Sequence, residues 1–474
     1  MRPWRIGTEW RVALVVSVVA IAAVLLDVTP LLRGPAPYPP EWQWDLRTAE
    51  TRGWPAVVVI AAALIALAVR APRPAIGLSS AVALGWLFQL SLAGLEPAGA
   101  ARTLMERTLS RTSTSYLTVA ASDDARDVAA FLDHHAELLP GMQKAAKHAA
   151  THPPGPILFY RALVGLFEAA PGAGDALLAA AGVDPEAGRR PGAVRAAALA
   201  GPLLITLLCA AAAWPLHGLA RRGGMDAASA VRVAALWPLL AGPALMAPHF
   251  DQLLALPVTA AAALLASAIA STGRSAVALA VAAGLCAGLA MQISYGAAAF
   301  LAIAGAAALA LVATTGARAA IAVGGAIAAC AFVLALPMAW GHDPIAAART
   351  ALAIHREAYT APRSYATWLV FNPLDLALFG GVPVAVVGLA RLARSPGAFA
   401  RLRVTVAAAL VLLLVSGTVR GELGRIAIPL MPVLLLAALG RDGAAEALGR
   451  EEAGLAAVLL AALTLAIAAR WSVA

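Results

Sequence analysis

Apolar stretches, each about 17–25 residues long and separated by short polar ones, set the pattern of this chain. They fall near 11–28, 54–70, 75–94, 195–217, 226–245, 251–271, 275–292, 296–314, 318–338, 373–391, 403–418, 424–440 and 453–471. Each is long enough to cross a bilayer as a helix, so the pattern predicts an all-α, polytopic membrane protein with about 13 transmembrane helices. Alanine-rich runs such as AAAALLASAIA are of low complexity but suit a helix. The segment 95–194 breaks the rhythm. Most of it is too polar to span, and it reads as a long insertion carrying interfacial helices. With no soluble domain and no strict repeat, 1–474 reads as a single integral membrane domain.

Composition agrees. Of 474 residues 61% are hydrophobic and 13% charged, and mean hydropathy is +0.81. A soluble core cannot absorb so much apolar surface. The net charge of +9 raises the question of nucleic acid, but Lys144 and Lys147 are the only lysines. The arginines sit mostly in short loops, which fits membrane orientation and contact with membrane lipids, not nucleic acid. Cys209, Cys286 and Cys330 lie in apolar runs without metal spacing and read as packing residues. A basic leader (Arg2, Arg5, Arg11) precedes the first run, which lacks a convincing cleavage site and reads as a retained span.

Orientation follows from arginine. A cytoplasmic N-terminus puts Arg70, Arg73, Arg221, Arg222, Arg274, Arg318, Arg391 to Arg403 and Arg441 on the cytoplasmic side. The segments 29–53, 95–194, 246–250, 293–295, 339–372 and 417–425 are then extracytoplasmic. Seven of the eight histidines (His134, His135, His148, His152, His249, His342 and His355) fall in or beside these outer segments. Glu41, Asp45, Asp123, Asp124, Asp251, Glu357 and Glu422 gather there too. Loops are polar in any case, yet the cytoplasmic ones hold charge with almost no histidine. The pattern points to an active site on the outer face.

Some outer arginines run against the orientation rule. SGTVRGELGRIAIPLMP places Arg420, Glu422 and Arg425 in a short connection, and HREAYTAPRSYATWLVFNPLD adds His355, Arg356, Arg363, Tyr365 and Asn372. A different topology or snorkelling to the headgroups would account for them. Binding of an anion such as a lipid phosphate would do so as well, because guanidinium offers paired planar donors. In the first outer loop, PAPYPPEWQWDLR, prolines stiffen the chain and Trp42 and Trp44 suit the headgroup interface. Glu41 and Asp45, four apart, would share one face if the stretch were helical. They are either solvated loop acids or a positioned base.

In SDDARDVAAFLDHHAELLPG, Ser122 is a candidate N-cap, with Asp123 and Asp124 in the first turn. Apolar residues follow at helical spacing and Pro140-Gly141 is expected to end the helix, which leaves His134 and His135 facing solvent. In HAATHPPGPILFYRAL, Pro153 pushes His152 toward extended geometry and Gly155 permits a tight turn. Pro156 suits the first turn of a helix over about 157–169, too short to cross. His152 is then fixed at a rigid corner, with Arg161 near the start of that helix. His249 and Asp251, in MAPHFDQLLALP, stand at the mouth of a span and are candidate site residues.

Taken together, THPPGPILFYRAL, PYPPEW, HFDQ, SYG, RSYATWLVFNPLD and RGELGRIAIPLMP resemble bacterial polytopic glycosyltransferases of the GT-C class. The resemblance covers nearly the whole chain in architecture, with HPPG and RGELGR its more telling motifs. It implies a hexosyl- or pentosyltransferase of the cell envelope, a sugar donor carried on polyprenyl phosphate, and a glycan, lipid or protein acceptor. It also implies a catalytic acid in the first outer loop, here Glu41 or Asp45. That loop often carries an adjacent acid pair in the class; this sequence has none, which leaves open whether a divalent cation (Mg or Mn) takes part. In the expected reaction, the acid takes a proton from an acceptor hydroxyl while Arg420 and Arg425, with Arg161 or Arg363, steady the departing phosphate. His152, His249 and Asp251 would orient sugar hydroxyls. The competing class is a lipid or small-solute transporter or flippase, which would favour polar or broken spans at mid-membrane.

Overall fold

The computed structural model describes residues 7–37, 39–48, 51–111, 114–186, 188–312, 316–392, 397–442 and 447–473. Arg2, Arg5 and Tyr38 lie outside the described residues. Every apolar run of the sequence is helical, and the chain is an all-α membrane-embedded protein. Among the described residues, eight helices are long and apolar enough to cross a membrane, including Thr8–Leu26, Pro74–Ala93, Phe250–Ala270, Gly273–Ile293 and Arg450–Arg470. Trp54–Arg70, Ala227–Leu239, Ala297–Val312 and Ile428–Leu439 are shorter apolar helices. The span expected at 373–391 is longer and broken: Tyr365–Gly380 and Val382–Ala390 meet at 109°. Gly381 makes the corner at φ +95°, where a Cβ would strike Leu460.

Burial separates protein-facing from lipid-facing sides. Trp10, Trp237 and Trp471 are wholly buried in the bundle, whereas Val15, Val19, Ile321, Ile327, Phe332 and Leu412 are exposed on long helices. Such apolar exposure is what a helix contacting acyl chains requires, since lipid offers its backbone no hydrogen-bonding partner.

Loop contacts sort the helix ends into two sets. At one end, Arg363 bridges Pro40 O and Arg420 O, the Trp44 indole reaches Asp375, and Arg425 pairs with Asp251. Asp45–Leu46 adds a two-residue antiparallel pairing with Trp471–Ser472. The Trp42 loop and the Arg420 loop are therefore on the same end. At the other, Arg391 pairs with Glu9 at 3.2 Å and Arg441 with Glu452 at 2.5 Å.

Between Pro74–Ala93 and Gly192–Ala211 the chain forms a separate small core under the first end. Tyr116, Phe131, Ile157, Tyr160 and Phe167 pack there against Ala196–Leu199 and Phe250. Three local expectations change. Ser122 caps nothing with its side chain; Asp127 does, accepting from Ala129 and Ala130 N–H at the start of Val128–Asp133. Pro140 does not end the next helix but lies inside His135–Ala145, which forgoes the one backbone hydrogen bond that an N–H at this position would make to Ala136 O. And although His134 is exposed, His135 is completely buried between Phe131 and His342.

Candidate functional site

The connection between Ala398–Val415 and Leu423–Ile426 builds the centre of the site. Gly417 and Gly421 adopt positive φ, which leaves no room for a Cβ beside Tyr365 and Arg363 respectively, and Glu422 follows in the left-handed region at φ 58°. This tight path brings the three charged residues of RGELGR into one network. Arg425 Nη2 donates to Glu422 Oε2 at 2.6 Å, and its Nη1 lies 3.4 Å from Asp251 and 3.1 Å from His249 Nδ1. Because guanidinium has no lone pair to offer, His249 Nδ1 must accept, which makes this imidazole neutral with its proton on Nε2. Arg363 closes the other side of Glu422 at 3.3 Å. Arg425 Nε is buried and has no hydrogen-bond partner among the described residues.

The charges decide one another's state. Burial pushes the Glu422 carboxyl up, but Arg425 and Arg363 outweigh it and hold the group below its usual range. Arg425 is likewise raised, because Glu422 and Asp251 overcome the desolvation that would lower it. His249 is driven well below its usual value by burial first and then by Arg425.

Histidines form the next wall. Pro153 imposes extended geometry on His152 (φ −123°, ψ 158°), as its position before proline dictates. Its Nδ1 lies 2.8 Å from His148 O, and its ring meets Tyr116 edge-on at 5.4 Å. With Nδ1–H donating to that carbonyl, Nε2 is the acceptor nitrogen. Burial, with His148, His355 and Arg425 nearby, pushes His152 down to about 3. His148 and His355 lie on Tyr359 at 5.8 and 5.5 Å between ring centres. The role expected of Gly155 is different in the structure: its φ is not positive, and it opens Gly155–Ala169 where a Cβ would run into the carbonyl oxygen of Gln292. Glycine is there for close approach to Gly273–Ile293, not for a turn.

The first loop braces this assembly. Glu41 is 8% exposed; its two oxygens accept from Ser364 N–H at 2.9 Å and the Trp368 indole at 2.6 Å. Asp45 is exposed in the strand pairing with Ser472, so the two acids do not share a helix face. Arg420 spends Nη1 on Thr360 O and Arg363 O and lies over the Tyr365 ring at 5.7 Å. Asn372 clamps the glycine turn, donating to Val419 O and accepting from Gly421 N–H. The Tyr365 hydroxyl donates to Val415 O. Arg161 pairs instead with Glu168 of its own helix.

Sequence reasoning overlooked Asp375, whose oxygens accept from the Trp44 indole and Gly424 N–H and tie the first loop to RGELGR. With Trp42, Trp44, Trp368, Phe371 and Glu422 it lines an aromatic-walled cleft. Its signal was present in FNPLD, but the expected span began at 373 and absorbed it. Among the described residues, no three His, Cys, Asp or Glu side chains gather so as to hold a metal ion.

Fold and site together define a multi-pass helical membrane protein with a charged, histidine-walled centre at one end of its bundle. Comparison with protein-family models, curated proteins and solved structures finds no match to this chain.

Proposed function

We propose that the protein is a membrane glycosyltransferase of the GT-C kind, moving a sugar from a polyprenyl-phosphate donor to an acceptor hydroxyl at the extracytoplasmic face. The observation that carries the reading is the convergence at Arg425. A guanidinium whose Nε has no partner among the described residues is flanked by Glu422, Asp251 and His249, beside an aromatic cleft and at the membrane-helix ends where a lipid phosphate lies. The arginine-rich opposite end supports the sidedness, by the positive-inside rule.

In this mechanism the acceptor oxygen attacks the anomeric carbon and its proton passes to a carboxylate. The bond from that carbon to the phosphate oxygen breaks, and the electron pair leaves with the phosphate. Arg425 stabilises that charge, with the Nη2 donors of Arg420 assisting. Both Glu41 oxygens are already engaged by protein N–H groups, which fits a bracing role. Asp251, whose carboxylate faces Arg425 at 3.4 Å, is the better proton acceptor. Neutral His152 and His249 offer acceptor and donor nitrogens to sugar hydroxyls. The partly exposed indole of Trp42 suits a pyranose face.

One observation favours a second reading. The 109° break after Gly380 is the kind of interrupted span that transporters use for binding. A panel of labelled polyprenyl-phosphate sugars, incubated with purified protein, separates the two. Transfer or release of label, lost in Arg425→Gln and Asp251→Asn but retained in part by Glu41→Gln, is the expected result. Binding with no bond cleavage for any donor, with and without added acceptor hydroxyls, would reject the transferase.

A further inference from the structure

A second cleft opens at the same end of the molecule but is lined by different residues. It lies between Pro74–Ala93, Ala241–Leu245 and Arg450–Arg470. Arg47, Glu96 and Arg107 make its polar wall; Leu92, Leu245 and Ala468 make its apolar wall. Arg47 Nη1 stands 2.8 Å from Glu96 Oε1, and Arg107 Nη2 approaches the same oxygen at 3.6 Å. Two guanidiniums thus share one carboxylate, and among the described residues the cluster carries one positive charge in excess. The Arg47 side chain is only 7% exposed, and its Nε has no hydrogen-bond partner among the described residues. Burial pushes Arg107 down to about 10, with Glu96 opposing and Arg47 adding to the shift.

A buried charge lacking a counter-ion is costly, and so is a buried N–H left without an acceptor. An anion seated in the cleft removes both costs. We propose that this cleft binds the phosphate of an anionic membrane lipid, with Arg47 and Arg107 as its donors. Phosphate is the shared chemistry of two sources, a lipid headgroup or the free ion. The position at the ends of membrane helices favours the lipid. The cleft also backs onto the site described above, since Arg107 Nη1 donates to Ala247 O at 2.8 Å, two residues before His249. A bound lipid would therefore brace the segment that presents His249 to Arg425.

The test uses the full chain, purified in detergent and stripped of lipid, with its thermal unfolding midpoint followed on adding lipid. Phosphatidylglycerol is expected to raise the midpoint and phosphatidylcholine not to, with Arg47→Gln weakening the phosphatidylglycerol response about tenfold. Inorganic phosphate giving the same gain, also lost in Arg47→Gln, would support the site and assign it to the free ion. Glu96→Gln removes the competing carboxylate and should tighten phosphatidylglycerol binding, a result that stands even where Arg47→Gln fails to fold. Equal gains from both lipids, a wild-type response in Arg47→Gln or Arg107→Gln, or no tightening in Glu96→Gln would overturn the proposal.

Discussion

Arg425 illustrates what a single buried charge demands. It sits between Glu422 and Asp251, so neither carboxylate is left uncompensated, and His249 must stay neutral to accept from it. The same low-dielectric surroundings keep His152 and His135 unprotonated, each pushed down to about 3 by burial. In the unfolded chain an imidazole takes up its proton near its ordinary value of about 6.5. Between these values the unfolded state binds more protons, so this part of the stability is whole above about pH 6.5 and is lost progressively as pH falls. Glu422, held below its usual range, acts in the same direction further down. Thermal unfolding in detergent should therefore show a lower midpoint at about pH 5 than at about pH 7.5, with a flatter dependence in His135→Leu. Identical midpoints would mean that these imidazoles protonate freely within the fold. At this scale the sequence was partly legible. Arg420, Glu422, Arg425, His249, Asp251, Arg363 and Asn372 stood out because charge and amide are rare among apolar runs, and the fold assembles them. The burial of His135 was not legible, because its neighbour His342 lies far along the chain. The engagement of Glu41 by Ser364 and Trp368 was hidden for the same reason.

Among elements, helix existence followed from apolar length alone, and the corners did not. Pro140 looks like a terminator in sequence and Pro373 like the start of a span, yet both lie inside helices. The break falls instead at Gly381, whose positive φ is set by packing against Leu460. Gly155 shows the converse, a glycine that looks like a turn but is a contact. Gly155→Ala would force Gly155–Ala169 away from the Gln292 carbonyl, costing about 1–3 kcal/mol and displacing His152. Gly172→Ala, in the following helix and with nothing within 4 Å of its added Cβ, should be neutral or slightly stabilising. Unfolding midpoints of the two variants check this; equal effects would show that the close approach at Gln292 carries no constraint.

For the whole molecule, the order of spans explains why distant residues meet. Helices running alternately up and down return the first loop, the His152 corner, His249 and the Arg420 connection to one end, while the arginine-rich connections collect at the other. Convergence of the site is thus a consequence of alternation, and it was anticipated once the runs were counted. The aromatic cleft was not, because Trp42, Trp44, Trp368 and Phe371 meet only through the fold of the first loop against Tyr365–Gly380. The central claim is that this end breaks a sugar–phosphate bond. It is tested most directly in proteoliposomes loaded with a polyprenyl-phosphate sugar labelled separately in sugar and lipid, with an acceptor supplied outside. The account predicts that the two labels part company in the wild-type protein and stay together in Arg425→Gln. Labels that cross the bilayer still joined, in wild type as in the variant, would contradict it.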